Sequence, residues 1–173
     1  RALFEKTTYT IYTGYSSRNQ PDGDGCGIVY LGNLDYGRHR SLVDIGRALR
    51  RICEQTGEPL YLDVYSAETR PEIRQELTEE NGIVFHGAVD SEAVKRIIAQ
   101  SRLTVHVESF APENRRTVMY SVSTKIADLL ASGRCIFAYG PGDVASMEYL
   151  RDNKAACVVN QPGRLEAELD EAK

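Results

Sequence analysis

Short apolar runs alternate along the chain with stretches whose apolar residues recur every three to four positions. The runs are Ile28–Leu31, Leu60–Tyr65, Ile83–His86, Leu103–Val107, Cys135–Tyr139 and Ala156–Val159. Each has the length of a strand and the β-branched and aromatic content that strands favour. Between them, Leu42, Ile45, Leu49 and Ile52 mark an amphipathic helix from Ser41 to Gln55. Pro71 suits the first turn of a short polar helix that runs from Glu72 to Glu80. Ala93, Val94, Ile97 and Ile98 mark a third helix, with Asp90 or Ser91 as its cap. Ile126, Leu129 and Leu130 form the apolar face of the next, which Gly133 closes. Val144–Arg151 reads as a helix, and a weak terminal one covers residues 164–172.

This alternation predicts an α/β fold: a Rossmann-like, three-layer domain with a parallel sheet of about six strands and helices on both faces. The crossovers should be right-handed. Residues 28–160 form the body of that domain. Residues 1–27 read as a linker or entry strand from a missing N-terminal domain, since Thr7–Tyr12 alternates like a strand and a turn-rich loop follows it. Residues 161–173 are a C-terminal tail or short helix. Parallel sheets bind ligands at the carboxyl ends of their strands. Function is therefore expected in the loops at 32–40, 66–70, 86–91, 108–125 and 139–144, where 109–120 reads as one long polar loop.

The first of these loops runs Gly32-Asn33-Leu34-Asp35-Tyr36-Gly37-Arg38. Gly32 allows close backbone approach, and Arg38 can pair bidentately with a phosphate. The loop would serve equally as a solvated basic turn. It is not a dinucleotide fingerprint, and no P-loop pattern occurs in the chain. The glycines between Gly23 and Gly27 precede a strand rather than a helix, which is the wrong context. The helix opening at Ser123-Thr124-Lys125 is the second candidate. Free amides, the helix dipole and the lysine favour an anion there, with Ser123 or Thr124 as the cap. Asp128 lies on the same face as Lys125 and suits sugar hydroxyls. The bland alternative is an ordinary cap with an exposed ion pair. Glu108, at the end of a strand, either faces a sugar hydroxyl or pairs with Arg115 or Arg116. His39, His86 and His106 read mainly as packed or solvated side chains. Tyr36 and Tyr139 are the two tyrosines placed to stack on a base.

Bulk properties narrow the partners. A net charge of −4 over 173 residues and a pI near 5.5 exclude non-specific nucleic-acid binding. The four cysteines form no CxxC and no metal-ligand spacing with histidine. Cys53, Cys135 and Cys157 lie in apolar runs and are expected as buried free thiols, which points to a reduced, cytoplasmic setting. No apolar run approaches the roughly 20 residues of a membrane span, and no signal peptide is apparent. The chain starts at Arg1 rather than Met, so a domain of a longer protein is expected.

The order of these features is similar to the C-terminal domain of family 4-like glycosyltransferases. Those enzymes usually show Gly-Arg and then Lys-Gly after the first strand, where this chain has Gly32-Asn33 and then Arg38-His39. Ile83-Val84-Phe85-His86-Gly87-Ala88-Val89 resembles the family's strand and turn near the nucleotide base. Ser123-Thr124-Lys125-Ile126-Ala127-Asp128-Leu129-Leu130-Ala131-Ser132-Gly133 resembles its Pro-Ser-Lys helix, and Gly140-Pro141 follows as expected. The resemblance implies half of a two-domain GT-B enzyme, with the acceptor bound by the other, N-terminal half. It implies a retaining hexosyltransferase that draws on a nucleotide-sugar donor and needs no cofactor or metal. Arg38 and Lys125 would neutralise the leaving diphosphate, and Glu108 would stand in for the first of the family's paired glutamates. Gly32, Asn33, Gly87, Ser123, Thr124 and Asp128 would bind the donor, with Asp128 in place of the glutamate that holds the ribose. The isolated domain should bind donor without turning it over. Two rival readings remain. One is a non-catalytic nucleotide-sugar-binding or interaction domain. The other is a sugar-nucleotide 2-epimerase, which would need a histidine and carboxylates around the cleft.

Overall fold

The structure, a computed structural model, describes residues 27–173. The expected linker or entry strand at 1–26, and Cys26 with it, lie outside the described residues. Six parallel strands form one sheet: β1 (Gly27–Leu31), β2 (Leu62–Tyr65), β3 (Ile83–Gly87), β4 (Ser101–Val107), β5 (Cys135–Tyr139) and β6 (Cys157–Val159). The helices are α1 (Arg38–Thr56), α2 (Pro71–Arg74), α3 (Ser91–Gln100), α4 (Pro112–Val118), α5 (Lys125–Ser132), α6 (Ala145–Asp152) and α7 (Leu165–Ala172). The strand order is β3-β2-β1-β4-β5-β6. The sequence direction of strand addition reverses between β1 and β4, which makes that junction the place where a crevice opens.

Alternation along the strands divides the core into two layers. Ile28, Tyr30, Leu62, Val64, Leu103 and Phe137 point to one face, against Leu42, Ile45 and Leu49 of α1 and Ile73 of α2. Leu165 and Leu169 of α7 join that same layer, so the C-terminal segment is a packed helix continuous with the body of the domain. Ile136 and Ala138 point to the other face, under Ile98 of α3, Val118 of α4, Ile126 and Leu129 of α5, and Met147 and Leu150 of α6. Asp90 caps α3, its carboxylate accepting from the Ala93 amide at 2.7 Å.

Several local expectations are corrected. The first helix begins at Arg38, not Ser41, because Tyr36 and Gly37 both take left-handed conformations (φ 57° and 71°) and complete the turn earlier. The second strand starts at Leu62, leaving Tyr61 exposed. The segment 72–80 is a single helical turn, α2, and then a 3-10 turn at Glu79–Asn81. The long polar loop contains α4, whose Pro112 sits at the first helical position, with Glu113 in its first turn and Arg115 and Arg116 in its last. Leu130 turns out of the apolar face of α5 and is exposed, and Ser132 is buried there instead. Cys135 is exposed at the amino end of β5, and Cys53 and Cys157 are only half-buried, so the buried-thiol expectation fails for all three. Tyr139 is fully buried: it packs against Phe110 and donates its hydroxyl to Asp44 Oδ2 at 3.3 Å, so it is core and not a stacking platform.

Candidate active site cleft

A cleft of about 640 Å³ opens at the carboxyl ends of β1 and β2, between the loops that follow them and the helices α3 and α5. Gly32, Asn33, Lys125 and Asp128 all line it. A recess of about 50 Å³ lies beside it, bordered by Asn33, Arg38, His106, Ser123 and Lys125. Residues from three separate stretches of sequence therefore meet at the junction of β1 and β4.

Lys125 is an exposed residue whose ammonium donates to the Leu31 carbonyl at 3.3 Å. Partial burial of the ammonium lowers its pKa, the Arg38 charge lowers it further, and Asp128 opposes both. An anion placed here would relieve the first two effects. Gly32 makes the geometry possible, since a Cβ at that position would lie 2.8 Å from Lys125 Nζ and 2.8 Å from the Tyr30 hydroxyl.

The amino end of α5 differs from expectation. Thr124 occupies the cap position in a right-handed helical conformation, and its side chain makes no capping bond. A cap needs extended backbone to aim its hydroxyl at the first-turn amides. Here the Ile126 and Ala127 amides instead donate to the Ser123 and Thr124 carbonyls, at 3.1 and 3.3 Å. Attraction for an anion thus rests on the Lys125 ammonium more than on free amides.

Arg38 and Glu108 form an ion pair across the sheet junction, closest at 3.1 Å. Arg38 Nε and Nη2 donate to Glu108 Oε2 and Oε1 at 3.2 and 3.3 Å. Arg38 Nη1 donates to Asn33 Oδ1 at 2.8 Å. Glu108 is 1% exposed. Ser146 on α6 donates to its carboxylate, and Ser41 on α1 donates to its carbonyl at 2.8 Å. Burial pushes the Glu108 carboxyl up, and the Arg38 charge pulls it back. Glu108 therefore pairs with Arg38 and with neither arginine of the following loop. Arg115 pairs instead with Asp143.

His106 lies under this pair, 6% exposed, its Nε2 3.6 Å from Glu108 Oε1 and without a hydrogen bond. Burial, reinforced by the Arg38 charge, holds its pKa down at about 4. Glu108 would favour the imidazolium, but its charge is already engaged by Arg38. The ring is neutral in the fold, while an unfolded histidine titrates near 6.5, so protons bind to the unfolded chain first as pH falls. The resulting stability is complete above about pH 6.5 and is lost on the way down to about pH 4, by about 1.4 kcal/mol per pH unit. Urea melts at several pH values in this window should show that slope in the native chain. In His106→Asn it should flatten by the equivalent of one proton; an unchanged slope would mean that His106 is not held neutral.

The remaining residues divide. Gly87 ends β3 with φ 79° and borders a separate cavity of about 360 Å³, on the far side of the loop after β2. His86 also borders that cavity, stacked on Tyr65 and 2.6 Å from Asp63 Oδ1. Tyr36 is exposed, with the Arg38 guanidinium 5.6 Å above its ring. The structure adds residues that the sequence reading passed over. Arg70 donates to Asp35 Oδ1 at 2.9 Å and to Glu68, tying the loops after β1 and β2 together at the cleft. Hydrogen bonds from Arg70 hold the Glu68 pKa down at about 2. The signal for them was position alone, in a loop already assigned to the ligand side. Among the described residues no cluster of three His, Cys, Asp or Glu side chains gathers as a metal site. No described helix is long and apolar enough to cross a membrane.

No family model matches the chain, and no curated protein matches it. Solved structures do. WaaG, a glycosyltransferase involved in lipopolysaccharide biosynthesis, superposes with a TM-score of 0.59 at 14% identity, over 88% of this chain and 39% of its own. A UDP-forming α,α-trehalose-phosphate synthase from Burkholderia xenovorans gives 0.61 at 16% identity, over 90% of this chain and 36% of its own. An E. coli trehalose-6-phosphate enzyme solved with UDP-2-fluoroglucose gives 0.60 at 13% identity, over 86% and 36%. The chain thus spans about two-fifths of the length of these neighbours. At such identities the likeness is one of fold, that of a Rossmann-like half of GT-B glycosyltransferases.

Proposed function

We propose that this chain is the donor-binding domain of a glycosyltransferase. The carrying observation is the placement of Lys125 and Asp128, from one face of α5, in the same cleft as the Gly32–Asn33 turn at the β1–β4 junction. In this reading a nucleoside diphosphate sugar lies along the cleft, with its diphosphate at Lys125 and Asn33 and its ribose at Asp128. The leaving diphosphate gains charge as the glycosidic bond breaks, and a fixed ammonium stabilises that charge more than it stabilises the ground state. Transfer would proceed with retention, moving a hexose to an acceptor bound by a further, N-terminal domain. The fold likeness to glycosyltransferases supports the class of reaction.

A second reading, a nucleotide-sugar-binding domain without chemistry, draws support from Glu108. Its carboxylate is buried and engaged by Arg38, so it is not free to meet a sugar. The epimerase reading loses ground because no histidine lines the cleft.

The test is the thermal stability of the chain against UDP-, GDP- and ADP-sugars and the free nucleotides. Ligand at a hundred times its dissociation constant should add about 2.7 kcal/mol. A rise confined to one base supports the donor domain and names the base; no rise with any of them sinks it. Donor hydrolysis by the complete protein then separates the catalytic from the non-catalytic reading.

A further inference from the structure

An arginine nitrogen can only donate, so the 2.8 Å contact from Arg38 Nη1 to Asn33 Oδ1 decides which way the Asn33 carboxamide faces. Its oxygen is turned to the guanidinium, and its NH₂ group is left at the opposite end. The backbone of the same residue is held too, because the buried Tyr30 hydroxyl donates to the Asn33 carbonyl at 2.6 Å. Asn33 is an exposed residue fixed at both ends, bordering both the main cleft and the small recess. Lys125 borders both as well.

The guanidinium that fixes Asn33 is itself set from below. Glu108 grips it through Nε and Nη2, leaving Nη1 for Asn33. Glu108 in turn is anchored by Ser146 and Ser41, and it is packed so closely against Gly140, the residue after β5, that a Cβ there would lie 2.9 Å from its own Cβ. Orientation therefore passes from the core to the cleft through Glu108, Arg38 and Asn33, in that order.

We infer that Glu108 is a positioning residue: acting through Arg38, it presents the Asn33 NH₂ group as a donor that holds an anionic ligand oxygen together with the Lys125 ammonium. This rests on the reading above, in which the cleft takes a diphosphate. Glu108 itself makes no contact with the ligand. An amide fixed in this way supplies a directed hydrogen bond that costs no reorganisation on binding.

Calorimetric titration with inorganic pyrophosphate and with UDP tests the inference. Asn33→Ala should weaken binding about tenfold, the size of one directed hydrogen bond to a charged oxygen, and Glu108→Ala should lose the same contact, its net loss being smaller by what the unmasked Arg38 charge gives back. The double variant should be no weaker than either single one, because both remove the same contact. Glu108→Gln should keep most of the affinity, since its amide oxygen still accepts from Arg38. Losses that multiply to roughly 100-fold in the double variant would overturn the inference and give Glu108 a contact of its own. Should Glu108→Ala fail to fold, Arg38→Met combined with Glu108→Gln breaks the same connection without leaving a buried charge. The Asn33 side-chain ¹⁵N resonance provides a readout that a merely structural role would not move. It should shift on adding pyrophosphate in the native chain and stay put once the connection to Glu108 is broken. If the native chain binds neither probe, or Lys125→Ala binds as well as the native chain, the diphosphate reading falls and takes this one with it. If binding needs Lys125 but Asn33→Ala is silent, this inference alone falls.

Discussion

Gly82→Ala is expected to cost more than about 3 kcal/mol of stability, beyond the range of an ordinary surface change. Two effects add. Gly82 has φ 72°, where an L-residue with a Cβ loses roughly 1–2 kcal/mol. A Cβ there would also overlap the carbonyl oxygen of Gly46, in the middle of α1. Neither partner is a flexible side chain, so the turn before β3 and the helix would have to separate. Gly57→Ala is the control. It shares the left-handed conformation, at φ 75°, but nothing lies within 4 Å of its Cβ. It should cost only the conformational part. The reciprocal change, Gly46→Ala, sets propensity against sterics. Alanine is about 1 kcal/mol better than glycine inside a helix. Here its Cβ would overlap the Asn81 carbonyl oxygen and sit 2.8 Å from Ile83 Cγ1. Contact should win, and the variant should be destabilised. Urea midpoints of the three variants settle the matter: equal losses for Gly82→Ala and Gly57→Ala would remove the close helix–turn approach from the account.

That contact also illustrates what the sequence could tell. The strands and the main helices were legible because their signal is local: Leu42, Ile45 and Leu49 recur at the helical spacing whatever they pack against. The ends of elements were less so. Gly37 reads as a loop glycine until its left-handed conformation is known, and with it the start of α1 and the place of Arg38. The helix α4 was missed because only Val118 is buried on it, too little for a periodic signal. That Gly32, Lys125 and Asp128 would border the ligand-side cleft was readable from their places at strand and helix ends. The pairings were not. Arg38 and Glu108 are 70 residues apart and meet only because β1 lies beside β4. Arg70 meets Asp35 because β1 also lies beside β2. Strand order is a property of the whole chain, and no single motif carries it.

Lys125→Ala is expected to weaken binding of a nucleoside diphosphate ten- to a hundredfold, about 1.5–3 kcal/mol for a hydrogen bond to a charged group. The reason is how charge is shared out in the cleft. Arg38 has its positive charge offset by the buried Glu108 carboxylate at 3.1 Å. Arg70 is similarly engaged by Glu68 and Asp35. Among the described residues lining the cleft, Lys125 is the cation whose ammonium is bound to a carbonyl and not to an acid, so the field an incoming diphosphate meets is mainly its own. Lys125→Glu should abolish binding, because it adds a negative charge where one was to be received. The pH dependence has a definite sign. Burial and the Arg38 charge lower the Lys125 pKa, so the free cleft loses its proton sooner than an exposed lysine would as pH rises. Affinity should therefore fall on the alkaline side before the ordinary lysine range is reached, and Lys125→Ala should lack that fall. Titrations of UDP at a series of pH values, in the native chain and in this variant, test both statements. Affinities within twofold of each other at neutral pH would remove Lys125 from the anion site. An alkaline fall that persisted in the variant would shift the titrating group elsewhere. Gly32→Ala offers a subtler disturbance of the same charge: its new Cβ would displace the ammonium without removing it. It should weaken the diphosphate less than Lys125→Ala does, and part of its effect should persist in the absence of Lys125, because the same Cβ would lie 2.8 Å from the Tyr30 hydroxyl that holds the Asn33 carbonyl.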